Sequence, residues 1–361
     1  MEPLKELFNK KFYVHLSNEI QKVFKGFNSA NFLIDVTQNI DALSLNERMR
    51  NTSVVLKKYL PQDYKKAIEV LYKVIPNTQR GYTNLVFPDF VGLYGHDHFD
   101  ISLEALKHFT QFGSSEFAIR EFLKRDFNKT IKVMNHWAKD KNHHVRRLAS
   151  EGSRPRLPWS FKLDEVINNP KSTQSILETL KSDEELYVKK SVANHLNDLS
   201  KDNTQHMLAL IKAWDKSNAH TAWIVKHASR TLIKKGNVES LAIFEFEKNP
   251  KIKLQNFKIL KPKIKLGESL EFNFDLISEK TKDQKLVIDY IIHYCKKGNE
   301  LTKKVFKLKD LNLKPKQKIN ISKKQLLKDF STRKHYTGTH FVEIQINGRV
   351  MQKLPFTLIA K

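Results

Sequence analysis

The 361-residue chain is poor in several features, and each absence excludes a class of protein. A single cysteine, Cys295, rules out an intramolecular disulfide and a Cys-rich zinc site. Eleven glycines and eleven prolines exclude collagen-like and low-complexity sequence. No apolar run approaches the ~18–20 residues that span a bilayer. The start, Met1-Glu2-Pro3-Leu4-Lys5, opens an amphipathic stretch with no signal-peptide core. A soluble cytoplasmic protein without membrane contact is expected. There is no Gly-rich phosphate loop and no Gly-x-Ser-x-Gly elbow, so neither nucleotide-driven nor serine-hydrolase chemistry is expected. The close histidine pairs, His96-Asp97-His98 and His143-His144, lack the i,i+4 spacing around a Glu that a helical metal site uses, so no metal site is expected.

Acid is the scarce charge. Lys and Arg number 64 against 39 Asp and Glu, a net of +25, and such an excess points to a polyanion, above all nucleic acid. The excess is uneven: residues 251–361 hold 26 basic and 10 acidic residues, a net of +16, whereas the preceding 250 hold 38 and 29, a net of +9. A step of that size marks a module boundary. Hydrophobic residues make up 40%, with 23 Phe, enough apolar surface to fold.

Periodicity changes at the same place. Leu16, Ile20, Val23 and Phe24, then Leu103, Leu106 and Phe109, recur at helical spacing. Polar breaks at Ser114-Ser115, Asp140-Lys141-Asn142, Ser182-Asp183 and Ser217-Asn218 suit caps and inter-helix turns. A weak repeat runs through Ile119-Arg120/Leu123, Val145-Arg146-Arg147/Ala149, Val188-Lys189-Lys190/Val192 and Ile224-Val225-Lys226/Ala228. Stacked HEAT-like helix pairs would bring these bases onto one concave surface. Residues 76–100, rich in Gly, Pro and aromatics, read as a long connection packed by its own rings. From residue 251 the period is two: Leu270, Phe272, Phe274 and Leu276, then Val342, Ile344 and Ile346, with Asn347-Gly348 as a type I′ hairpin turn. Further strand-like runs cover Leu286–Tyr294, Val305–Leu308 and Lys318–Ile321. The expected fold is a multidomain one: an all-α HEAT-like α-solenoid over 1–247, then an all-β immunoglobulin-like sandwich over 248–361.

One tract stands apart, running from His144 through Arg146-Arg147-Leu148-Ala149-Ser150-Glu151-Gly152 to Arg154-Pro155-Arg156-Leu157-Pro158-Trp159. Arg147 and Glu151 share a helix face at i,i+4, Gly152 ends the helix, and two prolines stiffen the loop beyond it. Arginines that grip phosphates, an indole that stacks on a base and a carboxylate that faces developing positive charge are what a damaged-nucleotide site needs. By the same logic Arg146, Arg154, Arg156, Lys189 and Lys190 are expected to contact DNA.

This tract resembles the signature of the AlkC-type DNA alkylation repair glycosylases. Ser115-Glu116-Phe117-Ala118-Ile119-Arg120 and Val192-Ala193-Asn194-His195-Leu196-Asn197-Asp198 resemble two further stretches of that family, and the likeness spans most of residues 1–247. Some members also carry a C-terminal immunoglobulin-like domain. The resemblance implies a HEAT-like solenoid that holds duplex DNA and hydrolyses the N-glycosidic bond of cationic bases, chiefly 3-methyladenine and 3-methylcytosine. It implies Glu116 and Glu151 as catalytic carboxylates, Trp159 beside the lesion, and Arg147 and Asp198 supporting the pocket. It further implies access by distorting the DNA, an extra domain that clamps it, no cofactor, and a monomeric bacterial protein that is nucleoid-associated when bound.

The chemistry is consistent with those residues. Alkylation at N3 makes the base a cationic leaving group, so a general acid is dispensable. Carboxylates near the sugar would stabilise the oxocarbenium ion, and one would orient water. The competing reading is a HEAT-like DNA-binding scaffold without catalysis, which has no use for acids in a basic surface.

Overall fold

The computed structural model describes residues 3–298, 300–330 and 334–360. The chain divides into two compact units, Met1–Ala228 and Ser229–Lys361. The helical unit contains fourteen α-helices among the described residues. Side-chain caps start many of them: Asn9, Asn28, Asp63, Asp126 and Asn142 each accept a backbone N–H of the first turn. Ser44 and Glu47 form a capping box before the helix Leu45–Tyr59. The helix Leu186–Asp202 packs against both His143–Gly152 and Ala219–Ala228, and Val86–Tyr94 packs against both Leu45–Tyr59 and Ala118–Arg125.

The connection expected over 76–100 is not a loop. It holds short 3₁₀ turns at Ile75–Asn77 and Tyr82–Leu85 and a helix at Val86–Tyr94. Pro88 is tolerated because it sits in the first turn, where its missing N–H has no helical partner to lose. Gly92 is there for packing: a Cβ would lie 3.3 Å from Ala118 Cα. Residue types that usually punctuate a chain here serve the interior of a buried helix.

The second unit is a sandwich of β1 (Ile252–Ile259), β2 (Lys263–Lys265), β3 (Ser269–Ser278), β4 (Gln284–Cys295), β5 (Leu301–Leu313), β6 (Lys318–Leu326), β7 (Gly338–Ile346) and β8 (Arg349–Ile359). One sheet has the order β1-β3-β6 and the other β2-β8-β7-β4-β5, antiparallel except where β2 runs parallel to β8. Leu270, Phe272, Phe274 and Leu276 of β3 meet Ile288, Tyr290 and Ile292 of β4 and Val342, Ile344 and Ile346 of β7 in one core. Asn347 and Gly348 have φ of 47° and 79°, as a type I′ turn requires.

The boundary expected at 247/248 is met by a division at 228/229. The helices Arg230–Lys234 and Val238–Ile243 lie on the sandwich, where Ile233 and Leu241 cluster with Val287 of β4. Gln345 Nε2 donates to Lys234 O at 2.9 Å. Gly236 meets Gly348 so closely that a Cβ on Gly348 would lie 2.1 Å from Gly236 Cα. Helical spacing alone assigns these helices to the helical region; their apolar residues belong to the sheet.

Candidate active site

Three helices and a strap of the helical unit build the candidate site. Asn142 Oδ1 accepts from His144 N at 2.8 Å and starts the helix His143–Gly152, which carries Arg147 and Glu151 one turn apart. Its last residue is Gly152, where a Cβ would lie 2.4 Å from Ile119 Cγ2, so glycine lets the helix Ala118–Arg125 approach. Glu116 occupies the turn just before Ala118–Arg125. Asp198 sits on Leu186–Asp202, whose first turn carries Tyr187.

Charge alternates along one continuous array. Arg147 Nη1 lies 2.5 Å from Glu116 Oε2, and its Nη2 lies 3.5 Å from Glu151 Oε1. Arg154 Nη1 is 2.6 Å from the same Glu151 oxygen, while its Nε and Nη2 lie 2.8 and 2.7 Å from Asp198 Oδ2. Lys201 Nζ closes the row at 2.9 Å from Asp198 Oδ1. Ser114 Oγ donates to Glu116 Oε2 and accepts from Arg147 Nη1, both at 2.9 Å. The Arg147 guanidinium also lies 4.6 Å from the centre of the Tyr187 ring, a cation–π contact.

These arginines leave each glutamate half committed. Their contacts fall on Oε2 of Glu116 and Oε1 of Glu151, so one oxygen of each carboxylate carries no arginine, and the Ser191 hydroxyl lies beside Glu151. Burial alone would raise the Glu151 pKa, but the charges of Arg147 and Arg154 outweigh it and hold the carboxyl below its ordinary range. Glu151 is therefore an anion at neutral pH. Both glutamates line a cavity of about 430 Å³ together with Tyr82, Arg147, Trp159 and Tyr187.

Trp159 is the most exposed aromatic of that wall, 72% accessible and held at φ 65°. A left-handed conformation costs an ordinary residue about 1–2 kcal/mol, and non-glycine residues of this kind gather at functional sites. The strap that carries it is anchored by Arg120, which is fully buried and donates to the carbonyls of Gly152 (3.0 Å), Arg154 (2.7 Å) and Phe161. Burial, and then the nearby Arg154 charge, bring the Arg120 pKa down to about 10, so it stays charged at neutral pH. His195 is also fully buried. Its Nδ1 donates to Ser150 O at 3.0 Å, which leaves Nε2 to accept from Thr173 Oγ1 at 3.2 Å.

Of the residues singled out in the sequence, Glu116, Glu151, Arg147, Arg154 and Asp198 form this array, and Trp159 adjoins it. Arg154 is thus buried among carboxylates. Arg146 and Arg156 lie outside the array, paired in two-point contacts with Asp183 and Asp202. Lys189 Nζ donates to His220 Nδ1 at 2.9 Å, and Lys190 is exposed. The expectation that the recurring bases share one surface fails at Arg120, whose guanidinium ties down the strap. Sequence reasoning missed the roles of Arg120, Tyr187 and His195. Arg120 and His195 do fall inside the stretches already singled out, whereas nothing marked Tyr187. Among the described residues no group of three or more His, Cys, Asp or Glu is placed to hold a metal, and no helix is long and apolar enough to cross a membrane.

Comparison with known proteins bears on this arrangement. The family model described as DNA alkylation repair enzyme matches residues 107–232, which contain the whole array. The C-terminal Ig-like domain of YhaZ, itself uncharacterised, matches residues 253–360. The structure superimposes on the alkylpurine DNA glycosylase AlkC of Pseudomonas fluorescens, solved bound to DNA containing an abasic site analogue, with a TM-score of 0.96 and 43% identity over 99% of this chain and 100% of that one. The chain belongs to the AlkC family. The uncharacterized protein YhaZ of Bacillus subtilis is 40% identical over 99% of both chains.

Proposed function

We propose that this chain is a monofunctional DNA glycosylase that hydrolyses the N-glycosidic bond of cationic N3-alkylated bases, 3-methyladenine and 3-methylcytosine, in duplex DNA. The observation that carries the proposal is the pair of half-committed carboxylates, Glu116 and Glu151, beside an exposed Trp159. The AlkC relative, an alkylpurine DNA glycosylase solved on abasic-site DNA, supports an alkylated purine such as 3-methyladenine and a DNA partner; 3-methylcytosine, a pyrimidine, rests on the cationic leaving-group chemistry.

The bond between C1′ and the alkylated base breaks with its electron pair going to the base, which leaves as a neutral molecule. Positive charge moves to the deoxyribose, where the carboxylates of Glu116 and Glu151 stabilise it. Water adds at C1′ and gives up a proton through a carboxylate, leaving an abasic site. Arg147 and Arg154 keep Glu151 ionised, and Arg147 holds Glu116 in place, so little reorganisation is needed as charge develops. Asp198 balances Arg154. Trp159 stacks against the distorted nucleotide, and Arg146, Arg156, Lys189 and Lys190 lie along the DNA. The sandwich, with most of the basic excess, clamps the duplex, and the protein works as a monomer.

Base release from a methylated duplex tests this. Glu151→Gln should lower release by ~100-fold or more, a loss of about 2.7 kcal/mol of transition-state stabilisation. A wild-type protein that binds the duplex yet frees no methylated base would leave a DNA-binding scaffold as the better reading.

A further inference from the structure

A second cavity of about 680 Å³ opens in the helical unit and shares Phe117 and Trp159 with the first. Its volume is that of a small-molecule site, yet nothing in the mechanism above uses it. Its charge is opposite to that of the chain as a whole. Glu47, Asp89 and Glu121 line it against a single guanidinium, that of Arg50. An acidic cavity repels phosphate, so it is not a backbone-binding groove.

One of its acids is an acceptor with an oxygen still to be met. Asp89 is 8% exposed and takes Arg50 Nη2 at 2.9 Å on Oδ1. The Ser53 hydroxyl lies beside this carboxylate, yet its Oδ2 is buried with no hydrogen-bond partner within 3.5 Å among the described residues, and the same holds for His96 Nδ1. Native proteins rarely leave such atoms unmet, and an N–H-bearing ligand would satisfy the Asp89 carboxylate. The aromatic lining supplied by Phe117, Trp159 and Phe161 suits a flat one. The two cavities are also coupled: Tyr82, on the wall of the first, donates its hydroxyl to Asn46 Oδ1, on the wall of the second.

We infer that this cavity is a nucleobase subsite, taking an amino-bearing base apart from its phosphate, with its plane on the aromatic wall and its N–H groups on Asp89. The inference rests on the reading of the chain as a DNA glycosylase, which supplies such a base in two ways. One is a strand base unstacked beside the lesion when the duplex is distorted; the other is the free base after excision.

Two variants of the full-length protein test it. Asp89→Leu removes the acceptor, leaving the half-exposed Arg50 to solvent, and Val54→Trp fills the cavity from an exposed rim position while keeping the Asp89–Arg50 pair. Binding is measured for free adenine and for a duplex with an abasic-site analogue. A free-base site predicts that adenine binds wild type and binds both variants at least about tenfold more weakly, with duplex affinity unchanged. A strand-base site predicts no adenine binding and about a tenfold or greater loss on the abasic duplex in both variants, with the salt slope intact because no phosphate contact is lost. Both results support a nucleobase subsite. Changes below about twofold for both ligands in variants that melt like wild type overturn it. The glycosylase reading fails separately, by absence of base release from methylated duplex in wild type, an outcome these binding arms do not depend on.

Discussion

The two units hold their positive charge in different ways. Residues 251–361 carry 24 lysines and two arginines, whereas six arginines fall between residues 120 and 156 alone. The lysines mostly end in solvent, as at Lys303, Lys309, Lys314 and Lys316. The arginines of the array are bonded at two or more points, Arg154 to Glu151 and Asp198, Arg147 to Glu116 and Glu151. A guanidinium is a rigid fork that fixes the geometry of carboxylates, while an ammonium is a mobile point charge. One unit therefore uses cations to aim two acids. The other displays cations as a diffuse field, which suits attraction to a polyanion without fixed contacts.

Exchanging the two kinds of cation should separate these roles. Arg154→Leu leaves Glu151 and Asp198 buried without their shared counter-charge and should cost about 3–5 kcal/mol in denaturant unfolding. Arg154→Lys should recover part of that stability but little base release, because one ammonium cannot span both carboxylates. The reverse exchange, Lys303→Arg or Lys309→Arg, should change neither. A silent Arg154→Lys would show that the array needs charge alone.

His195 adds a pH dependence to the same array. Complete burial lowers its pKa to about 4, from an ordinary value of 6.5. Between those values the unfolded chain binds a proton that the folded chain does not, so stability is full above pH 6.5 and falls as the pH drops toward 4. The loss is roughly 3 kcal/mol at one pKa unit per 1.36 kcal/mol. Glu151, whose pKa is lowered, acts in a more acidic window: its contribution is present above the unfolded carboxyl pKa and is lost as the pH falls through the folded one. His195→Gln should flatten the profile between pH 4 and 6.5. An unchanged slope would mean that His195 is protonated in the folded protein.

Much of this was legible in the sequence, and the gaps have physical causes. Period-two alternation located most of the strands, and the Asn347-Gly348 turn emerged with both residues at positive φ. The tract from Arg146 to Trp159 held most of the array because i,i+4 spacing and a glycine stop are local rules. What local rules cannot encode is which partner buries a segment. Gly92 reads as a helix breaker until Ala118 is placed against it, and the helices at 230–243 read as part of the solenoid until Val287 is placed beneath them. Arg154 and Arg120 were ambiguous for the same reason. An arginine that meets DNA and one that holds a carboxylate or a carbonyl look alike until the third dimension supplies the partner.

Two smaller substitutions probe the strap between the array and the solvent. Gly152→Ala should cost about 1–3 kcal/mol, since its methyl would overlap Ile119 and force the helices apart. Base release should fall with it, because Glu151 precedes this contact directly. Trp159→Gly should move stability the other way, gaining up to about 1–2 kcal/mol from relief of the left-handed backbone, less the extra chain entropy of glycine. It should still lower base release. A variant that is both more stable and less active would show that the strap is held in a strained form for function.

The smallest effect per residue, and the cleanest contrast with the array, is expected in the sandwich. Lys303, Lys309, Lys314 and Lys316 are exposed on β5 and in the turn after it. If that surface meets phosphate, each Lys→Gln change at a contact should reduce the slope of log affinity against log salt by about 0.9 through lost counterion release. Turnover at saturating duplex should stay constant, because the carboxylates are held by arginines of the helical unit's own array. The quadruple variant then binds weakly at moderate salt yet excises normally once bound, the opposite of Arg154→Lys, which binds but does not excise. An unchanged slope would show that the charge of the sandwich is not a DNA footprint, and the unit would then be better read as a surface for a partner protein.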